Sequence, residues 1–340
     1  MAADREGVRR EGGVTPMRRL ALAIVAILGA GIGASPAPAQ HYPDKPIKLV
    51  IPLVAGSPIT ALARVVVPPL SARLGQQVII ENRPGAGTSI GVKAAAAMPP
   101  DGYSLLMYGQ NIAYLQMLYP DLGFDPVKAF VPVAPLAAYF HVIVISPALP
   151  VKTLPEFVAY VKANPGKLNF GIGLGTMPQI IGEYFNLVAG LDIITIPYAG
   201  GEQVRVDLLG GRIQMNVGPP TNLMGLIKEG KLRPIAVTSK QRMKELPDVP
   251  TMIESGYPQV GFHPDVWQGI LAPAGTPAPI VEKLNTEINA VLKTPEVRTS
   301  LLRLGVADIM TMTQREFATF VDGEARKWPP IIKATGFKAQ

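Results

Sequence analysis

The stretch VIPLVAGSPITALAR, residues 50–64, decides how the chain is read. Its first half closes an apolar run, IKLVIP at 47–52, with the length and β-branched content of a buried strand. Its second half opens a helix-like run over 60–74, which Pro68-Pro69 is expected to kink or split, because neither proline has an N–H to donate. Between the two lie Gly56, Ser57 and Pro58. A strand that empties through small residues into a helix presents unpaired N–H groups and the positive end of a helix dipole, which suits a carboxylate. Ser57 and Thr60 are also the residues a plain helix cap would use, so the loop alone supports either reading.

The alternation continues outward. QVIIEN (77–82) reads as the next strand, RPGAGTSIG as a turn opening a helix over 89–97, and PPDG (99–102) as a turn before the strand YSLLMY (103–108). A second series starts near 142, with HVIVIS a strand, LPEFVAYVKANPG a helix closed by Gly166, and LNFGIG a strand. GEYFNLVAG, DIITIPY, EQVRVDLLGG and IQMNVG carry it on, and the block 279–336 is mostly helical. Repeated strand–helix–strand at this spacing predicts parallel sheets with crossover helices. No flexible linker separates the two series, so two α/β lobes joined by crossing strands are expected. A length of 340 residues with 48% hydrophobic and 17% charged residues fits two globular units.

Several function classes are excluded or unsupported. There is no cysteine, hence no disulfide framework and no thiolate chemistry. The 32 Lys and Arg against 25 Asp and Glu give a net charge of +7, but the basic residues are scattered, so no nucleic-acid partner is expected. GAGTSIG (85–91) and GIGLGT (171–176) lack the glycine spacing and the acidic partner of a dinucleotide cradle, and there is no nucleophile elbow. The three histidines, His41, His141 and His263, have no ligand spacing, so no metal is expected. Asp265 and Glu183 make no acid–base pair. The chain therefore reads as a non-enzyme with no catalytic residue and no cofactor.

Two small-residue loops that precede helices remain, VAGSPIT at 54–60 and GLGTMPQ at 173–179. Gly173, Gly175 and Thr176 offer the second series the chemistry that Gly56, Ser57 and Thr60 offer the first. In open parallel sheets, ligands gather beyond the carboxyl ends of strands, and two such ends facing each other make a cleft.

At this point the chain resembles the Bug family of periplasmic solute receptors, the TctC-like substrate-binding proteins of tripartite tricarboxylate transporters. The likeness covers residues 42–338 and is carried by YPDKPIKLVIP, LGQQVIIENRPGAGTSIG, PDGYSLLM, LPEFVAYVKANPGKLNFGIG, DLLGGRIQM, EGKLRPIAVTS, LPDVPTMIESGYP and GILAPAGTPAPIVEKLN. The resemblance implies a two-lobed type II periplasmic binding protein fold, α/β in class, that closes on a carboxylated solute in an interlobe cleft. It also implies delivery of that solute to membrane permease subunits; the alternative is a ligand-sensing receptor for a two-component system. The lobes are expected at 40–142 plus 264–340 and at 143–263, and the protein is expected to be a monomer.

The ligand-binding residues expected on this reading are Ala55, Gly56, Ser57, Pro58 and Thr60 in the first lobe and Gly175, Thr176 and Gln179 in the second. Tyr198, Gly200 and Gly201 follow at a rim turn, Pro219, Thr221, Gln110 and Asn111 at other strand ends, and Trp267 as an aromatic wall, a position that a core aromatic fits equally. The chain departs from the family pattern inside this pocket. Ile59-Thr60 stands where Thr-Asp is usual, and Ile172, Met177 and Gln179 replace more polar residues. Unpaired polar groups of a solute would cost on the order of 1–3 kcal/mol each there, while apolar burial returns roughly 25 cal/mol per Å². An aromatic or medium-chain acid is therefore expected over aspartate, glutamate or citrate.

The first 39 residues read as a signal peptide with an upstream segment. Arg18 and Arg19 precede the apolar run LALAIVAILGAGI (20–32), and Ala37-Pro38-Ala39 forms an A-x-A site. The run is short of the roughly 18–20 residues a membrane span needs, and Met17 is the natural start of this signal. A soluble periplasmic protein is expected. Mass spectrometry of the chain exported by a bacterial host should give a mature N-terminus at Gln40 or His41; retention of LALAIVAIL would contradict export by cleavage.

Overall fold

The computed structural model describes residues 42–173, 176–198, 201–261 and 266–336. The signal segment and its cleavage site, and with them His41, lie outside these residues, as do Gly175, Gly200, His263 and Asp265. Among the described residues no helix is long and apolar enough to cross a membrane.

The chain runs β1 (Ile47–Ile51), α1 (Pro58–Leu74), β2 (Val78–Asn82), α2 (Ser89–Ala96), β3 (Ser104–Gly109), α3 (Leu115–Leu118) and β4 (Phe130–Tyr139). It continues with β5 (Val142–Ile145), α4 (Leu154–Ala163), β6 (Leu168–Gly173), α5 (Met177–Val188), β7 (Ile193–Tyr198), α6 (Gly201–Leu209), β8 (Met215–Gly218), α7 (Pro220–Lys228) and β9 (Arg233–Val237). It ends with β10 (Val266–Pro273), α8 (Ala278–Leu292), α9 (Pro295–Arg303), β11 (Asp308–Ile309) and α10 (Gln314–Thr335). Two sheets result, ordered β11-β4-β10-β3-β1-β2 and β7-β6-β8-β5-β9. The chain crosses from the first to the second between β4 and β5, and returns between β9 and β10.

Both sheets are mixed rather than parallel throughout. β1 is parallel to β2 and β3, and β6 to β7 and β8. The crossing strands run antiparallel to their neighbours: β10 to β3 and β4, and β5 to β8 and β9. A strand entering one sheet from the other comes from the opposite end, and that reversal is what alternation along the sequence does not reveal.

The Pro68-Pro69 pair does not split its helix. α1 is one helix that begins at Pro58, two residues before the expected start. Ser57 caps it, its hydroxyl accepting from Thr60 N, with Pro58 at the first helical position and Gly75 (φ +70°) ending it. Leu62, Ala63, Val66, Val67, Leu70 and Leu74 are all buried, and this packed face holds the helix together across two missing N–H donors.

α10 starts at a capping box, Thr313 with Glu316, and crosses between the cores. Its Phe317 and Val321 pack with Val50, Leu106, Trp267 and Leu271 under the first sheet. Its Trp328, Ile331 and Ile332 pack with Phe157, Phe170, Ile180 and Phe185 under the second. At the junction sits Glu324, a buried carboxylate. Its Oε2 accepts from Trp267 Nε1 at 3.1 Å and Trp328 Nε1 at 2.8 Å, and Lys327 Nζ lies 2.5 Å from Oε1. Trp267 stacks edge-on with Phe317 and Phe320, their ring centres 5.6 and 5.5 Å away.

Glu324→Leu leaves two buried indole N–H groups without an acceptor and should lower stability by about 3 kcal/mol. Glu324→Gln retains an oxygen acceptor and should lose less than half as much. Urea unfolding of the two variants checks this; equal losses would show that the indole bonds are not what matters.

Candidate functional site

β1, β2 and β3 end side by side at one edge of the first sheet, and β6, β7 and β8 do the same in the second. The loop after β1 is held rigidly. Ser57 Oγ and Thr60 Oγ1 share a hydrogen bond of 2.9 Å, and Thr60 Oγ1 donates to Val54 O at 3.3 Å. Asn82 Nδ2 donates both to Thr60 Oγ1 and to Leu53 O, each at 2.9 Å. Ser57 and Thr60 are buried, so their hydroxyls serve the loop itself. Ala55, Gly56 and Pro58 are exposed. Ser57 N donates to Val54 O, whereas Gly56 N has no partner among the described residues. Residues 53–60 carry no charged side chain.

Asn82 was not among the sequence candidates. The signal for it is register: β1 and β2 pair with Ile51 opposite Asn82, so the last residue of QVIIEN reaches the loop that follows IKLVI. The loop after β2 is the strained one. Ala86 and Thr88 have φ of +42° and +84°, a conformation non-glycine residues adopt at some cost. Gly87 (φ +55°) lies so close to Tyr119 that a Cβ there would come within 1.6 Å of its hydroxyl oxygen. The Thr88 and Tyr108 hydroxyls share a hydrogen bond of 2.5 Å. Each of the three parallel strands of the first sheet is followed by an exposed large apolar side chain: Val54 (60% exposed) after β1, Ile90 (55%) after β2 and Met117 (42%) after β3.

In the second sheet, Thr176 occupies the N-cap of α5, but its hydroxyl donates to Gly173 O at 2.6 Å rather than capping the helix. Gln179, one turn on and buried, donates from Nε2 to Glu183 Oε1 at 3.0 Å. The Tyr198 hydroxyl donates to Asp207 Oδ2 at 2.8 Å. That bond, with Arg212 at 2.8 Å from the other oxygen, holds Asp207 below the usual carboxylate range. Gly201 is the first residue of α6, and Pro219 is the N-cap of α7.

Other candidates fall elsewhere. Trp267 is fully buried in the first core, on Glu324. Gln110 is buried too, and its Oε1 accepts from Trp267 N at 3.3 Å, while Asn111 beside it is partly exposed. Thr221 lines a separate groove of about 760 Å³ with Phe140, Lys240, Lys244, Leu302 and Gly305. A Cβ on Gly305 would come within 2.0 Å of the Thr221 methyl, so the two sheets' elements touch there. In the first sheet the crossing strands β4 and β10 separate this groove, bounded by β11, from β1 and its loop. Among the described residues no group of three or more His, Cys, Asp or Glu could hold a metal.

Two sheets crossed by the chain in this way, with parallel strand ends in each, define a two-lobed binding protein. Family comparison then places it: a model described as "Tripartite tricarboxylate transporter family receptor" matches residues 62–337, and the chain belongs to that family. Three solved structures are similar. The periplasmic binding protein BugD is 31% identical, with TM-score 0.69, over 88% of this chain and all of its own. A Rhodopseudomonas palustris protein solved with adipate is 29% identical, TM-score 0.70, over 87% and 99%. Another from the same organism, MatC with bound malate, is 29% identical, TM-score 0.66, over 86% and 100%. These are binding proteins, not enzymes, and receptors of this family are periplasmic.

Burial raises the Glu183 carboxyl above the usual range, against the opposing pull of the Gln179 amide. The native state therefore binds this proton more tightly than the unfolded chain. The resulting stabilisation is complete below the unfolded value and is lost as pH rises through the native one. Glu183→Gln, which keeps an acceptor for Gln179, should raise the melting temperature relative to the parent at about pH 7 and lose that advantage at about pH 4. A difference independent of pH in thermal scans would contradict the assignment.

Proposed function

We propose that the protein captures a small carboxylate in a cleft between the ends of β1–β3 and β6–β8 and delivers it to membrane permease subunits of the tripartite tricarboxylate type. The observation that carries this reading is the loop after β1. Its side-chain hydroxyls are spent on Val54 O, Asn82 and one another, it has no cation, and it leaves the Gly56 N–H unpaired at the start of a 17-residue helix. Main-chain amides and a helix dipole are then the groups available for an anion. Thr60 and Asn82 fix the loop, and the Gly56 amide with the α5 N-terminus at Thr176 and Gln179 faces the solute. The lobes on this reading are 40–142 plus 264–340 and 143–263, with the end of α10 seated in the second core.

The solute class follows from what surrounds the amides. Val54, Ile90 and Met117, in the segments that follow β1, β2 and β3, expose apolar surface, whereas Ile172 and Met177 are buried in the second core. The relative solved with adipate holds an acid whose carboxylates flank four methylenes; the relative with malate holds a hydroxylated one. The apolar rim favours the adipate type, extending to aromatic acids, and the closed state buries them by lobe rotation.

Titration calorimetry with adipate, benzoate and terephthalate beside malate, aspartate, glutamate and citrate tests this. An apolar acid should bind at least about tenfold more tightly than every polar one, corresponding to some 1.4 kcal/mol. The best binder should shrink the radius of gyration in solution scattering. Tighter binding of malate, glutamate or citrate overturns the solute class, and unchanged scattering at saturation overturns closure.

A further inference from the structure

The lobes are joined three times: by the chain between β4 and β5, by the chain between β9 and β10, and by α10. Among the described residues the first two joins are not helical, and the third is a continuous 22-residue helix. A straight helix anchored in two cores resists any rotation of one against the other. α10 is interrupted chemically where it crosses. Phe317 and Val321 belong to the first core and Trp328, Ile331 and Ile332 to the second, so the helix crosses between Val321 and Trp328, and Pro329 and Pro330 follow at the start of the second-core segment. Neither proline has an N–H, so the carbonyls of Ala325 and Arg326 lack their intrahelical donors on consecutive residues. Sharp helix bending concentrates at such sites. The freed carbonyls, Ala325 and Arg326, fall within this crossing turn, which Glu324 ties to Trp267 of β10 at one end and to Trp328 at the other.

We infer that Pro329-Pro330 is the third hinge of the protein, a built-in weak point at which α10 bends when the lobes rotate. The inference rests on the lobe closure proposed above. The chain carries its own control: Pro68-Pro69 in α1 is the same dipeptide inside a helix whose buried residues all serve one lobe, and there it joins nothing that moves.

Because the chain lacks cysteine, spin labels can be placed at Lys93→Cys on α2 and Lys228→Cys on α7, both exposed. Pulsed electron resonance on the ligand-free protein then reads the spread of interlobe distances without any choice of solute. Pro329→Ala/Pro330→Ala restores both helical bonds and should narrow that spread about twofold, while raising the melting temperature. Pro68→Ala/Pro69→Ala should leave the spread unchanged. Should the α10 double variant fail to fold, Pro330→Ala alone, at an exposed position, should narrow the spread in the same direction. A spread equal to the parent's, or equal narrowing by the α1 pair, overturns the hinge. Solution scattering of the parent with its best acid judges closure separately, so a failure of closure is told apart from a failure of the hinge.

Discussion

Glu324 is the point on which the arrangement of the two lobes depends. A carboxylate taken out of water costs several kcal/mol unless donors replace the lost hydration. Here three do, two of them the N–H groups of the chain's only tryptophans. Satisfying that one group fixes Trp267 at the point where the chain re-enters the first sheet, and hence the register of β10 between β4 and β3. It also fixes Trp328, whose ring lies 5.7 Å from that of Tyr114 and within the second core.

Within that frame the proposed reading gives the small residues of the loop after β1 a function that their hydroxyls do not perform. Ser57 and Thr60 are caps and braces, the plainer of the two readings open to them. Their bonds to Val54, Asn82 and each other immobilise the backbone. A rigid amide binds an anion with little loss of conformational freedom, whereas a lysine in the same place would have to be ordered.

The fold was legible wherever a segment's own pattern decides its structure. IKLVI, VIIEN, LNFGIG and LPEFVAYVKA became the elements their periodicity predicts. Strands β4 and β10 were not legible. β4 carries Pro132 and Pro135, and its partners on its two sides are β10 and β11. The same holds at the site. The caps at Ser57 and Thr153 follow from local chemistry. Asn82 against Thr60, Trp267 against Glu324 and Thr221 against Gly305 are contacts between distant segments, and no local pattern encodes them. Trp267 shows the limit most clearly, since a tryptophan on a strand end suits a ligand wall and a core equally until its partner is known.

What distinguishes this receptor from others of its family is then a matter of side chains laid on a common frame. The family match spans residues 62–337, so the frame is shared. Val54, Ile90 and Met117, in the segments that follow β1, β2 and β3, each forgo burial that would otherwise stabilise the protein. Such surface is retained at a site when something else covers it. On the proposed reading, a solute with methylenes or a ring between its carboxylates would cover it and leave its charged ends to the amides, while a hydroxylated acid of the same length would bring polar groups against side chains that cannot pair with them. On the proposed reading the amides select for a carboxylate and the apolar side chains select among carboxylates, two selections made by different atoms.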